Sequence, residues 1–258
     1  MTIFKKGVEI LNFFNDSGVD SFFENKPQVR KENILSAKSK RENFSIKGND
    51  QSREMATSSR VRATNATNFD ELCDTIKKFD GCEIKKAAIN TVIYDGQVNA
   101  KIMAIGEAPG ANEDEHGIPF CGQSGRLLDN IFKAIDLTRK ENLLITNSVF
   151  WRPPGNRRPT AEEIEICRPF IEKMIFLLKP NLIILVGSTA VESLLNIKGV
   201  SMNTLRNKNY LYSNCYLDNE QIKTSVIFHP SYLLRQPAQK KSMWFDMLKI
   251  KKIINEFS

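Results

Sequence analysis

Lys101-Ile102-Met103-Ala104-Ile105-Gly106-Glu107-Ala108-Pro109-Gly110 carries a short apolar run into a turn built from two glycines and a proline. The run is too short for a helix and has no polar face, which predicts a strand buried on both sides. Three more runs of this kind follow: Leu143-Leu144-Ile145-Thr146-Asn147, Leu182-Ile183-Ile184-Leu185-Val186-Gly187 and Thr224-Ser225-Val226-Ile227-Phe228. Amphipathic segments stand before and between them. Phe69, Leu72, Ile76 and Phe79 recur at helical spacing, as do Leu127, Leu128, Ile131, Phe132 and Ile135. Thr160, with Glu163 three residues on, forms a capping-box signature that opens a helix to about Leu178. Further helices are predicted from Ser188 to Leu195 and from Lys240 to Glu256. Strands alternating with helices predict an α/β fold, a three-layer α/β/α sandwich around a short four-stranded parallel sheet. Ligands of such sheets bind beyond the carboxyl ends of the strands, which directs attention to the segments after Gly106, Asn147, Gly187 and His229.

The flanks read differently. Residues 1–35 carry a modest helical pattern through Ile3, Phe4, Val8, Ile10, Leu11 and Phe14, and predict an N-terminal helical appendage. Residues 36–66 hold seven basic and three acidic residues with six serines. So few large apolar groups cannot offset the entropy of ordering, which predicts a basic disordered linker. The main domain is then expected over 67–258. Neither a signal-peptide pattern nor an apolar stretch of about 20 residues is present, so the expected setting is the cytoplasm, as a monomer. The net charge of +7 suits a polyanionic partner without proving one. Five widely spaced cysteines, Cys73, Cys82, Cys121, Cys167 and Cys215, do not read as a disulfide framework.

Three segments carry chemistry. The first is the turn Gly106-Glu107-Ala108-Pro109-Gly110, followed by the acids Glu113 and Asp114 and by Gly117-Ile118-Pro119-Phe120-Cys121-Gly122. Here backbone can approach a ligand closely. The second is Asn147-Ser148-Val149-Phe150-Trp151-Arg152-Pro153-Pro154-Gly155-Asn156-Arg157-Arg158-Pro159. An asparagine at a strand end offers both a donor and an acceptor to a planar ring edge, and the arginines suit phosphates. The third is His229-Pro230-Ser231-Tyr232-Leu233-Leu234-Arg235, which holds one of only two histidines.

Taken together in this order, the three segments resemble the uracil-DNA glycosylase superfamily, specifically its family 4 branch, from about Phe79 to Asp246. The segments around Leu11 to Arg30 and Phe79 to Cys82 look like alphaproteobacterial members of that branch. The resemblance implies an enzyme that flips uracil out of DNA and hydrolyses its N-glycosidic bond. It implies that Phe120 stacks on the uracil and Asn147 reads its edge, with Gly106, Glu107 and Ala108 lining the pocket. His229 would donate to the uracil O2, where negative charge develops. Some relatives carry Asp at the third place of the first turn, where this chain has Ala108. The carboxylate role then passes to Glu113, which is favoured, to Asp114, or to water held by backbone groups. Leu233 or Leu234 would wedge into the DNA, and Arg152, Arg157, Ser231 and Arg235 would contact its backbone.

The resemblance also implies a 4Fe-4S cluster held by four cysteines. Only Cys82 and Cys167 occupy matching places here. Phe79 and Trp151 stand where the other two ligands would be, so no cofactor and no metal site are expected. The histidine-bearing insertion of a branch that crosslinks to abasic sugars is missing near Leu205-Arg206-Asn207-Lys208. The alternatives to a glycosylase are a protein that grips uracil or abasic DNA without turnover, and a replication accessory factor.

Overall fold

A computed structural model describes residues 34–36, 50–218 and 220–257. Ile34–Ser36 (β1) is an edge strand. Asp50–Asn65 (α1) and Phe69–Lys78 (α2) follow. Tyr94–Gly96 (β2) and Ile102–Gly106 (β3) then lead into Ala111–His116 (α3) and Gln123–Lys133 (α4). Leu143–Asn147 (β4), Ala161–Leu178 (α5), Leu182–Val186 (β5) and Ser188–Leu195 (α6) form the middle of the chain. Met202–Arg206 (α7), Asn209–Tyr212 (β6), Ile222–Ile227 (β7), Pro230–Arg235 (α8) and Lys240–Asn255 (α9) complete it.

The strands form one sheet in the order β1-β6-β7-β5-β3-β4-β2. The expected four strands are its centre: β4, β3, β5 and β7 run parallel. The sheet is wider than four strands, however. Among the described residues, six strands lie between Tyr94 and Ile227, and β1 makes a seventh. Antiparallel β2 closes one side on β4, and antiparallel β6 closes the other on β7. β1 pairs parallel to β6. The extra strands are short, and β2 and β6 are only partly buried, so they lack the continuous apolar runs that mark the central strands.

Every residue of β3, β4 and β5 is buried. Successive side chains alternate between two apolar layers, as the period of a strand requires. Met103, Ile105, Leu144, Ile183 and Leu185 face the side that carries Leu72 and Ile76 of α2 and Phe170 and Met174 of α5. Ile102, Ala104, Leu143, Ile145, Leu182 and Ile184 face Leu128 and Phe132 of α4 and Met243, Met247 and Ile250 of α9.

Residues 50–65 correct the expectation of a disordered linker. They form a helix whose Ser59 and Ala63 are buried, with Met55 and Ala56 packed against the core. Small side chains at this spacing let α1 lie close on α5, and Arg60 of α1 pairs with Glu172 of α5 at 2.9 Å. The expected N-terminal helical appendage lies, apart from β1, outside the described residues. Among the described residues, no helix is long and apolar enough to cross a membrane.

Candidate active site

The parallel strands end at one edge of the sheet, where their loops surround a cavity of about 530 Å³. Gly106 closes β3 beside Asn147, its register partner at the end of β4. The two loops are tied there: Ser148 donates both its backbone N–H and its hydroxyl to the Gly106 carbonyl, at 2.9 and 2.8 Å. Val149 N–H donates to the Glu107 carbonyl at 3.1 Å. Gly106 must be glycine, because a Cβ would collide with the Phe120 ring and the Asn147 side-chain oxygen. The missing side chain is what lets the ring and the amide share one wall of the cavity.

Asn147 is 1% exposed, and neither its Oδ1 nor its Nδ2 has a hydrogen-bond partner among the described residues. Folded proteins rarely leave a buried amide unpaired, since this costs roughly 1–3 kcal/mol per group. Its residue lines the cavity. The arrangement supplies one donor and one acceptor, side by side, to whatever enters.

Phe120 is also buried, in the left-handed backbone region at φ 52°. Its position is imposed from behind by Arg139, which donates to the Pro119 carbonyl at 2.6 Å and to the Phe120 carbonyl at 2.7 Å. The same guanidinium pairs with Asp95 at 2.9 Å and Asp129 at 2.8 Å. Sequence reading missed Arg139, which lies in the loop before β4.

His229 stands across from Phe120, with ring centroids 5.7 Å apart. The backbone N–H of Ser231 donates to Nδ1 of His229 at 3.2 Å, and the Ser231 hydroxyl lies 2.7 Å from the same atom. Nδ1 is thus an acceptor, so the neutral ring carries its proton on Nε2. Burial holds the imidazole pKa below its ordinary value; Arg235 adds to this, while Glu107 and Glu113 oppose it.

The carboxylates fall out differently from expectation. Glu113 lines the cavity, but its oxygens accept the N–H groups of Gly110 at 3.1 Å and Gly122 at 2.9 Å. It braces two turns. Asp114 is a correction: its carboxylate faces away and accepts from Ile89 N–H at 2.9 Å and Asn90 N–H at 3.1 Å. Glu107 lines the cavity as well. Its Oε2 accepts from the Thr189 hydroxyl at 2.6 Å.

Around the rim, Ser231 and Arg235 line this cavity and a neighbouring one of about 580 Å³ that shares Glu107, Ala108 and His229. Arg157 lines the cavity and grips Glu163 with two bonds, of 2.9 and 2.6 Å. Arg152 donates to Asn156 at 2.7 Å. The two leucines separate. Leu233 is fully buried among the core residues under α9, so it is no wedge, while Leu234 is 36% exposed.

A family model described as the uracil DNA glycosylase superfamily matches residues 93–249. The chain belongs to this superfamily. The type-4 uracil-DNA glycosylase of Pyrobaculum aerophilum is 34% identical over 183 residues, 70% of this chain and 91% of that protein. The type-4 uracil-DNA glycosylase of Saccharolobus solfataricus is 35% identical over 191 residues, 73% and 87% of the two chains. That of Archaeoglobus fulgidus is 33% identical over 71% of this chain and 92% of its own. These relatives place the glycosylase fold of this chain in the type-4 branch.

The iron-sulfur cluster that the resemblance implies does not fit this glycosylase. Cys82 and Cys167 are both buried and in contact, and burial, with the neighbouring thiol, pushes the Cys167 thiol well above its ordinary pKa. Two cysteines are half of a four-cysteine ligand set. Where two further ligands would stand, the Phe79 and Trp151 rings stack at 6.5 Å, and Phe170 meets Phe79 edge-on at 5.1 Å. The indole N–H of Trp151 is satisfied by Thr91 at 2.9 Å. The volume is filled by apolar side chains.

Proposed function

We propose that this chain removes uracil from DNA by hydrolysing the N-glycosidic bond and leaves an abasic site. The observation that carries the reading is the unpaired amide of Asn147, buried in the cavity wall beside Phe120. A uracil edge offers N3–H to Oδ1 and accepts from Nδ2 at O4, which satisfies both orphaned groups at once. Phe120 stacks on the ring. The uracil reaches this depth only when flipped from the stack, so Leu234 fills the gap it leaves, and Arg235, Arg152 and Ser231 hold the neighbouring backbone.

When the C1′–N1 bond breaks, its electron pair leaves with uracil, and the negative charge spreads from N1 onto O2. Nε2–H of His229 donates to that oxygen and stabilises charge that exists only as the bond breaks. Positive charge develops on the sugar. Glu107 faces it, and the role expected of Glu113 passes to Glu107, because Glu113 has both oxygens committed to backbone. The oxygen of a water bonds C1′, and the proton it sheds passes to the Glu107 carboxylate and then to solvent.

No step calls on an iron-sulfur cluster. The aromatic packing around Phe79 and Trp151 takes over its bracing role, and purified protein should contain neither iron nor acid-labile sulfide. The enzyme works as a monomer on DNA in the cytoplasm.

A single-stranded oligonucleotide with one uracil tests the activity. Incubation followed by alkali should cut the strand at the uracil over many turnovers. Tight binding with sub-stoichiometric cutting would favour a binding protein, and no cutting would sink the proposal.

A further inference from the structure

We propose that Thr189 and Arg158 are positioning residues for catalysis, a hydrogen-bonded relay that orients the Glu107 carboxylate. The inference rests on the uracil-excision reading and on the role given there to Glu107.

The relay begins at the surface. Glu192 pairs with Lys198 through Oε1 at 3.2 Å and with Arg158 Nη2 through Oε2 at 2.7 Å. Arg158 Nε then donates to the Thr189 hydroxyl at 3.0 Å, and that hydroxyl donates to Glu107 Oε2 at 2.6 Å. The direction of each bond is fixed by chemistry. A guanidinium N–H can only donate, so Thr189 Oγ1 must accept from Arg158. A hydroxyl has one proton, which is thereby left to point at Glu107. The carboxylate receives a short, charge-assisted bond.

Position adds to polarity. Thr189 is fully buried, so water cannot substitute for it. It sits in the first turn of α6, two residues after Gly187, whose φ of 95° lets the chain turn tightly there. A Cβ on Gly187 would stand 3.1 Å from the Cβ of His229. The same turn therefore packs against the histidine and, through Thr189, holds the Glu107 carboxylate. With Oε2 held, Oε1 is the oxygen left for the sugar and water, and no described residue bonds it. The relay also joins Arg158, in the arginine-rich loop after β4, to the reacting centre.

The test compares Thr189→Val, Thr189→Ser and Arg158→Lys for multiple-turnover uracil release, alone and in a Glu107→Gln background. Val keeps the shape and removes the donor. Its kcat should fall about ten- to a hundredfold, the range for losing a hydrogen bond to a charged group, with little change in KM. Ser should restore most of that loss. Arg158→Lys should lower kcat several-fold. In the Glu107→Gln background, Thr189→Val should have almost no further effect, since the relay acts only through that carboxylate. Three results would overturn the proposal: wild-type kcat in Thr189→Val, full additivity with Glu107→Gln, or a loss that Ser does not rescue. An Arg158→Lys variant weakened only in DNA affinity would remove Arg158 from the relay. A parent enzyme that releases no uracil would instead refute the uracil-excision reading itself.

Discussion

Ser231 donates its backbone N–H to Nδ1 of His229, and this one bond makes Nε2 the hydrogen donor of the ring. The tautomer needs no other side chain. Burial reinforces it by disfavouring the charged imidazolium.

The pH dependence follows with a definite sign. The folded pKa of His229 lies below the ordinary value of about 6.5, so the neutral donor survives into mildly acidic solution. The acid limb of kcat attributable to His229 should lie below that value. The stability this group contributes is present above the ordinary pKa and is lost as pH falls through the depressed one. With only two histidines in the chain, ring NMR can follow His229 directly. Titration at or above the ordinary value would contradict the assigned state.

Asn147→Ala should separate stability from activity. The amide is buried and unpaired without substrate, so removing it should stabilise the fold by about 1 kcal/mol, or about 2–4 °C in Tm. Uracil release should fall by roughly 10²-fold or more, as expected for losing polar contacts that read a ligand. Calorimetry and a release assay on the same preparation check both halves.

Arg139→Ala should do the reverse and lower both. It strips the Pro119 and Phe120 carbonyls and two aspartates of their partner. A loss of about 2–3 kcal/mol is expected, discounted for the partial exposure of Asp95 and Asp129. Urea denaturation measures it. A raised KM for uracil DNA should accompany it, because the stacking ring is no longer held.

The adjacent leucines should behave oppositely. Leu233→Ala removes a core side chain and should cost about 2–5 kcal/mol. Leu234→Ala should leave Tm within about 1 °C, in line with the small effect of surface changes. It should slow release from duplex DNA more than from single strands.

The central sheet was legible because strands buried on both faces must be apolar throughout, as in Ile102–Ile105 and Leu182–Val186. β2 and β6 were not. Tyr94-Asp95-Gly96 and Asn209–Tyr212 are strands because a neighbour pairs with them, not because of their composition. Helix α1 was hidden for another reason: its buried face includes Ser59 and Ala63, whose small side chains leave no apolar periodicity.

At the site, Asn147 and His229 stood out from their places at strand ends, while the part given to Phe120 came only from the resemblance. The carboxylates could not be sorted in that way. Glu113 and Asp114 are adjacent in sequence, yet one step along a helix turns them to opposite sides. Thr189 and Arg158 come from segments whose proximity only the fold creates. Leu233 and Leu234 differ by the same single helical step, which decides between core and surface.

The most direct measurement is multiple-turnover release of free uracil from a single-stranded oligonucleotide by the wild type, His229→Ala and Asn147→Ala. The wild type should turn over many times, and each variant, with its fold confirmed by calorimetry, should lose about 10²–10³-fold in kcat/KM. Folded variants that release uracil at the wild-type rate would contradict the assignment of this cavity as the place where the base is read and the bond is cut.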